Sequence, residues 1–313
     1  MKPLEFFSAS RLIIVAGKGG VGKTTVTAVV ARAAARHGLR VLAVEVEEHT
    51  GLRALLDVGT RPPVSEAATT VSGTVEPLDT GLGPDGTGTL SFATITPGPA
   101  LLEYLDGHGM HRISKRLSRT GVLDVVSTAA PGIEDILVLG KIKQLERSGR
   151  FDLVVVDGPA AGHAIAFLQA AAGLLDAVDV GPIQVQARDV AELLADPARC
   201  QVMLVTLAEE TPVNEVIETA FALEDRVGVA LTPVVVNAVY AHRDLPPSDD
   251  PVLEEAAEFR RTRLAAQAER LTRLGAELPL PQLVLPFRFT AAVGPADTDA
   301  LAEALVAQLA DLA

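Results

Sequence analysis

A glycine-rich run with two lysines is the part of the sequence with the clearest chemical meaning. Residues 17–25 read GKGGVGKTT and fit the pattern G-x-x-x-x-G-K-[ST]. Glycines at this spacing let backbone N–H groups approach a phosphate closely, because a side chain would block that approach. In this pattern the lysine reaches the β- and γ-phosphates and the hydroxyl binds Mg²⁺. The run predicts a nucleoside triphosphate site formed by Gly17, Lys18, Gly19, Gly20, Val21, Gly22, Lys23, Thr24 and Thr25.

The segments on either side of this run favour the same interpretation. Residues 12–16 are apolar, as a buried parallel strand should be, and residues 24–37 have helix-forming composition that stops at Gly38. The glycines therefore lie on a strand-to-helix turn, where the positive end of the helix dipole attracts phosphate. The alternative, a glycine turn that matches the pattern by chance, is disfavoured by this order of elements.

Asp157 follows a strongly apolar strand, residues 151–156. Nucleotide folds place a Mg²⁺-organising carboxylate at such a strand end. We therefore predict that Thr24 and Asp157 hold the metal together. The small residues 158–163 read as a loop, in which backbone N–H groups such as that of Gly162 can sense the γ-phosphate.

Two carboxylates close the second predicted strand. Alternation puts Glu45 and Glu47 on one face at the ligand edge of the sheet, where one of them can orient or deprotonate the attacking water. We favour Glu47 for this role, because carboxylates beside a triphosphate would otherwise repel it. The alternative is a solvated charge at the end of a strand.

A nucleobase site is predicted at the ends of the last two strands. Asn237 follows the apolar residues 234–236, and its amide can pair with the edge of adenine. Pro286 and Phe287 end the last strand and can pack against the base. These residues narrow the predicted ligand to ATP.

The composition limits the classes of function that fit. The 313 residues carry a net charge of −13, which argues against nucleic-acid partners, because their affinity comes from Lys and Arg. No apolar run reaches the ~20 residues of a membrane helix, and the N-terminus does not resemble a signal peptide or presequence, so a cytoplasmic protein is expected.

The basic segment 111–119 is interpreted as a solvated helix face, with a contact to a partner or lipid as the alternative. The single cysteine, Cys200, is predicted to be a core residue.

Alternating strands and helices run along the whole chain, so residues 1–313 are predicted to form one α/β domain. This fold is a doubly wound, mostly parallel sheet that binds ligands at the carboxyl ends of its strands. Helical pieces near 97–127 and 161–196 are expected to form a small cap subdomain above that edge. Strands are predicted at 12–16, 39–46, 90–95, 151–156, 202–207, 230–236 and 283–285, and the longer helices at 24–37, 131–147, 212–227, 254–274 and 296–312.

Four segments together resemble the anion-transporting ATPase family, which includes the arsenical-pump ATPase and the ATPase that targets tail-anchored membrane proteins. Residues 17–25 resemble its deviant, signature-lysine phosphate loop, and residues 157–163 (DGPAAGH) its switch II, D-T-A-P-T-G-H. Residues 90–97 resemble the segment that enters its helical subdomain, and residues 130–135 resemble its P-G-I-D-E element. Asn237 and Pro286 fall where the family contacts adenine. The resemblance covers nearly the whole chain and is closest to compact bacterial members.

The resemblance implies a P-loop NTPase fold and a Mg²⁺-dependent ATPase that acts as a nucleotide-driven dimer. In this family Lys18 would reach across a face-to-face dimer to the nucleotide of the partner. Glu47 stands where the family usually has the aspartate that positions water, so hydrolysis is expected to be slow or to need a partner. The paired zinc cysteines and metalloid cysteines of the two named relatives are absent.

Several functions stay open within this resemblance. The main hypothesis is an ATPase switch, as a homodimer or a heterodimer with a paralogous ATPase, whose cap binds a client or partner protein. The alternatives are a membrane-protein targeting factor or chaperone, peripheral to the membrane, and a low-turnover, ATP-gated scaffold that acts with a paralogous subunit. A partition or septum-positioning ATPase on DNA or membrane ranks last, because the acidic charge argues against DNA and residues 300–313 lack the basic face of a membrane-anchoring helix.

Overall fold

A computed structural model gives the fold of most of the chain. It describes residues 1–46, 50–57, 75–107, 109–112, 114–115, 132–177, 181–243, 245–246 and 248–312. Glu47 and residues 116–131 lie outside these ranges, so the predictions made for them rest on sequence.

One sheet of nine strands crosses the described part of the chain. Its spatial order is β3-β4-β2-β5-β1-β6-β8-β9, with β7 paired to β6. All pairs are parallel except β3 with β4. The strands are β1 (Leu12–Gly17), β2 (Arg40–Val46), β3 (Glu76–Leu82), β4 (Gly88–Ile95), β5 (Leu153–Ala160), β6 (Cys200–Leu207), β7 (Ala230–Leu231), β8 (Val234–Val239) and β9 (Gln282–Pro286).

Helices pack on both faces of this sheet. They are α1 (Pro3–Phe7), α2 (Lys23–Arg36), α3 (Thr50–Leu55), α4 (Pro97–Gly107), α5 (Ile133–Arg147), α6 (Ala161–Ala177), α7 (Pro182–Ala195), α8 (Glu210–Arg226), α9 (Pro251–Glu277) and α10 (Pro295–Leu309).

Alternation along the central strand divides the core into two layers. Ile13 and Val15 pack with buried residues of α1, α2, α3 and α10 on one face. Leu12 and Ile14 pack with buried residues of α5, α6, α7 and α8 on the other. The predicted doubly wound, mostly parallel sheet of a P-loop NTPase is confirmed.

The sheet opens a crevice beside β1. The strand after β1 in space is β6, and the helices that follow these two strands, α2 and α8, lie on opposite faces. Connections that diverge in this way leave a crevice at the carboxyl ends of the strands, which is where open α/β sheets bind ligands. The glycine-rich run, residues 17–25, begins at the end of β1 and so lies at this crevice.

The helices assigned to a cap pack through α5. Helix α4 contacts α5 through a small apolar cluster that includes Leu101, Leu105 and Leu137. Helices α6 and α7 contact each other and also α5. The cap itself stays a prediction, since much of 97–127 is outside the described residues. At the start of the basic segment, His111 contacts Asp106 at 3.1 Å.

Three sequence predictions differ from the structure. Residues 158–163 were expected in a loop, but β5 continues through Ala160 and α6 begins at Ala161. The predicted strand 230–236 is divided into β7 and β8 around Pro233, which has no N–H to donate to the sheet. Asn237 was expected at a strand end, but β8 continues to Val239. Strand β3 was missed altogether.

Candidate functional site

The glycine-rich run connects β1 to α2 and depends on two close backbone approaches. A Cβ on Gly17 would lie 2.4 Å from the carbonyl oxygen of Val205 on β6. Gly22, the residue before α2, has a left-handed φ of 90°, and a Cβ there would lie 2.2 Å from Nδ2 of Asn237. Glycine is therefore favoured at Gly17 for space, because the neighbour is backbone, and at Gly22 mainly for conformation. The loop is fixed against β6 on one side and β8 on the other.

Lys23 lies at the start of α2 with its amine across the loop. Its Nζ donates to the carbonyl oxygen of Lys18 at 3.1 Å. Burial lowers the pKa of Lys23 below its ordinary value, and the nearby Asp157 carboxylate partly opposes this shift. The amine is thus held inside the loop, at the place where the sequence predicts β- and γ-phosphates.

Oxygen atoms of three side chains meet below the loop. Thr24 Oγ1 donates to Asp157 Oδ2 at 2.7 Å, and Thr27 Oγ1 lies 3.4 Å from Asp157 Oδ1. Register places Asp157 beside Val15, at the carboxyl end of β1. Mg²⁺ prefers oxygen ligands and is usually held by one or two protein groups together with phosphate and water oxygens. The Thr24–Asp157 pair fits such a metal by its donor chemistry.

Lys18 points away from this pair. Its Nζ forms an ion pair with Oε1 of Glu215 on α8. The lysine side chain is 48% exposed and that of Glu215 is 29% exposed. The structure therefore brings Lys23, Thr24 and Asp157 together and leaves the Lys18 amine at the surface, bound to a neighbouring helix.

Asn237 contacts the phosphate loop directly. Its Nδ2 donates to the carbonyl oxygen of Val21 at 3.0 Å. The next residue, Ala238, has a left-handed φ of 56°, and the β8–β9 register is broken between Val236 and Val239. The side chain predicted to contact adenine is therefore packed on the loop that is predicted to hold the phosphates.

An aromatic cluster lies beyond Asn237. The ring of Phe287 contacts Tyr240 and Phe289, with centroid distances of 5.1 and 4.8 Å. The guanidinium of Arg260 lies 5.4 Å from the rings of both Tyr240 and Phe289. Pro286 and Phe287 also line a cleft of about 550 Å³, together with Ala241, Arg243, Arg260, Arg288, Phe289 and Thr290. Aromatic faces with guanidinium groups suit a flat base that carries a polyanion.

For the remaining predicted site residues, the structure gives fewer contacts with the phosphate loop. Glu45 is 4% exposed and lies in register with Asp157 on the adjacent strand. Gly162 falls in the first turn of α6 rather than in a loop. Glu47, the favoured water-positioning residue, is outside the described residues.

Sequence reasoning missed several contacts at this site. Thr27 could have been found from the sequence, because it lies one helical turn after Lys23. In the structure its hydroxyl also donates to the carbonyl oxygen of Lys23 at 3.0 Å. Tyr240 and Phe289 are close in sequence to Asn237 and Phe287. Glu215 gave no local signal, because only the fold brings it to the loop.

This combination of sheet, glycine-rich loop and Thr–Asp pair defines a P-loop nucleotide-binding domain. Residues 12–259 match the family model of the CobQ/CobB/MinD/ParA nucleotide binding domain. The chain belongs to this family.

Two relatives illustrate where the chain stands within the family. ATPase BagA of Mycobacterium tuberculosis is 31% identical over 285 residues, which cover 88% of this chain and 76% of that protein. The arsenical pump-driving ATPase of Escherichia coli is 28% identical over 236 residues, which cover 72% of this chain and 34% of that protein. The resemblance to the arsenical-pump type of ATPase is confirmed.

The comparisons and the structure support a nucleotide-binding protein of ATPase type. Within the described residues, none of the helices combines the length and the apolar character that crossing a membrane would require. Cys200 is fully buried with a free thiol, as predicted, and burial raises its pKa.

Proposed function

We propose that this protein is a Mg²⁺-dependent ATPase that works as a nucleotide-driven dimeric switch. The observation that carries the proposal is the Thr24–Asp157 pair at 2.7 Å, directly below a glycine loop that holds the Lys23 amine. The two oxygens suit Mg²⁺ and the amine suits the β- and γ-phosphates of ATP.

The residues of the loop divide the work of phosphate transfer. Lys23 leaves the carbonyl oxygen of Lys18 and neutralises charge that develops on the phosphates. Thr24 and Asp157 hold Mg²⁺, which supplies further charge neutralisation when bound. Glu47 orients the attacking water, and the amide N–H of Gly162 senses the γ-phosphate. The base lies between Asn237 and the Phe287 end of the aromatic cluster.

Lys18 gives the proposal its dimeric form. Its side chain is half-exposed and forms an ion pair with a carboxylate of α8. Such an amine can exchange Glu215 for the nucleotide phosphates of a second protomer, because a surface ion pair contributes only about 0–1 kcal/mol. We propose a homodimer or a heterodimer with a paralogous ATPase, coupled through the helices around α5 to a client or partner protein.

A low-turnover, ATP-gated scaffold is the second candidate. It is favoured by Glu47, which is one methylene longer than the aspartate of the related motif. In that case ATP would drive assembly with little hydrolysis.

One experiment separates these candidates. The protein is purified with ATP or a nonhydrolysable analogue, and its mass and phosphate release are measured together. Either protein should double its mass with the analogue. A switch ATPase should also release phosphate from ATP, whereas a scaffold should release little. Lys23→Ala should abolish ATP binding, and Lys18→Ala should keep binding and lose turnover. A Lys18→Ala variant with wild-type turnover would rule out the action of this lysine in trans.

A further inference from the structure

We propose that Gln267 of helix α9 is a positioning residue that sets the preference of this site for adenine over guanine. It would act by holding the turn at Ala238, which in turn fixes Asn237 on the phosphate loop. The inference rests on the proposed function, because it assumes that ATP occupies the loop.

Gln267 is buried and uses both ends of its amide on this turn. It is 6% exposed, although few residues of its helix are buried. Its Oε1 accepts from the backbone N–H of Tyr240 at 2.9 Å, and its Nε2 donates to the carbonyl oxygen of Ala238 at 3.3 Å. A buried amide satisfied at both ends holds its partners in one geometry.

The turn needs such support for two reasons. Ala238 has a φ of 56°, a left-handed conformation that is unfavourable for a residue with a Cβ. The sheet cannot supply all of the backbone partners, because the β8–β9 register breaks between Val236 and Val239. Strained backbone of this kind persists where surrounding structure over-determines it, and Gln267 is the side chain that does so here.

The position of Asn237 follows from the turn. Asn237 precedes Ala238, and its Nδ2 donates to the carbonyl oxygen of Val21 in the phosphate loop. That hydrogen bond fixes the amide orientation, because the carbonyl accepts only from the nitrogen. Oδ1 is then left as an acceptor. An acceptor suits the amino group at position 6 of adenine and opposes the oxygen at position 6 of guanine.

Gln267→Leu tests this role by removing both hydrogen bonds with little change in size. Dissociation constants for ATP and GTP are measured by calorimetry. We expect the ATP constant to rise about tenfold and the GTP constant to change less than about twofold, because only ATP uses the fixed acceptor. Gln282→Leu is the matched control, since Gln282 donates to the carbonyl oxygen of Leu271 on the same helix, away from the turn. It should leave both constants unchanged.

Ala238→Gly provides a rescue that a general loss of stability would not show. Glycine adopts the left-handed conformation readily, so the turn no longer depends on Gln267. Adding Ala238→Gly to Gln267→Leu should return the ATP constant to within about twofold of wild type. If Gln267→Leu does not fold, Gln267→Glu keeps the acceptor for Tyr240 and loses the donor to Ala238, and about a threefold rise for ATP is expected.

The outcomes separate this inference from the proposed function. An unchanged ATP-to-GTP preference in the Gln267 variants, or an equal change in Gln282→Leu, overturns the role of Gln267 and leaves the proposed function standing. A wild-type protein that binds no ATP, or a Lys23→Ala variant that binds it normally, overturns both.

Discussion

Among single residues, Asp157 is notable because its carboxylate contacts two threonine hydroxyls. One of its oxygens accepts from Thr24 at 2.7 Å, and the other lies 3.4 Å from Thr27. Both hydroxyls belong to the first two turns of α2, so the carboxylate ties that helix to β5. Asp157 and Thr24 are also the residues proposed to hold Mg²⁺.

Asp157→Asn should separate these two roles. Asparagine keeps an oxygen that can accept from Thr24 but loses the charge that Mg²⁺ prefers. We expect the gain in ATP affinity on adding Mg²⁺ to fall about 10- to 100-fold, while ATP binding in EDTA is retained. Calorimetric titration in the two buffers measures the difference. A variant with wild-type Mg²⁺ dependence would contradict the proposed metal site.

The Lys18–Glu215 ion pair predicts how readily the protein dimerises. Glu215→Gln removes the carboxylate that holds Lys18 on its own chain. Because such partly exposed pairs contribute only about 0–1 kcal/mol, ATP-driven dimerisation should need up to about fivefold less ATP. Mass photometry across an ATP titration measures the midpoint.

The control for this prediction is Glu218→Gln, which removes the same charge from the exposed side of the same helix. It should leave the midpoint unchanged. If both variants shift the midpoint equally, net charge rather than the release of Lys18 is responsible.

At the scale of elements, the junction of β1, α2 and β8 is held by Gly22. Gly22→Ala would force a Cβ into Asn237 Nδ2 and strain a φ of 90°. We expect ATP affinity to fall at least tenfold, because the loop and Asn237 must move apart. Gly149→Ala is the control, since Gly149 also has a positive φ, of 67°, but no atom within 4 Å of its added Cβ. It should lose some stability and keep ATP binding, as measured by thermal shift with and without nucleotide.

The start of β2 is fixed to the start of β5 by Arg40 and Asp152. Asp152 accepts from the backbone N–H of Arg40 at 2.8 Å and from its guanidinium at 2.6 and 3.1 Å. These hydrogen bonds to Arg40 lower the pKa of Asp152 below its ordinary value of 3.8. The folded state therefore favours the carboxylate, and this contribution is present above that value and is lost as the pH falls through the lowered pKa.

Asp152→Asn should accordingly destabilise the protein in a pH-dependent way. We expect a loss of about 1 kcal/mol in the free energy of unfolding at pH 7, since the pair is partly exposed, and a smaller loss below pH 3.8. Urea unfolding at several pH values measures it. A loss for Asp152→Asn that stays constant down to low pH would mean that the charge is not responsible.

The elements also show which parts of the molecule are readable from sequence. The order of strand, loop and helix around Lys23 was predicted, because apolar runs and glycine spacing are local signals. Strand β3 was missed because it contains Pro77 and Gly81 and alternates poorly. The contacts of Glu215 with Lys18 and of Gln267 with Tyr240 join positions separated by 197 and 27 residues, and no periodicity reveals them.

For the whole molecule, the net charge limits the partners that we expect. The net charge of −13 repels polyanions in general. Arg243, Arg260 and Arg288 nevertheless line one cleft, and Arg288 is paired with Asp297 at 2.9 Å. A local group of guanidiniums on an acidic surface suits one small anion better than a long one.

The protein is therefore expected not to bind nucleic acid, unlike a partition ATPase acting on DNA. Fluorescence anisotropy with duplex DNA at about 0.15 M salt should show no binding up to about 10⁻⁴ M, with or without ATP. The control is fluorescent ATP, which should bind under the same conditions. Salt-dependent binding of DNA in the presence of ATP would contradict this prediction and support a partition ATPase instead.

The edge strand β3 has a further consequence for behaviour at high concentration. An unprotected edge offers N–H and C=O groups to other chains, which is a common route to aggregates. Here the pairing of β3 with β4 is interrupted twice, Pro77 lacks a donor, and Glu76 and Asp79 hold Arg53 and Arg32 along the strand. A strand this irregular cannot continue a hydrogen-bonded ladder into a second molecule. Sheet extension at this edge is therefore not expected when the protein is concentrated.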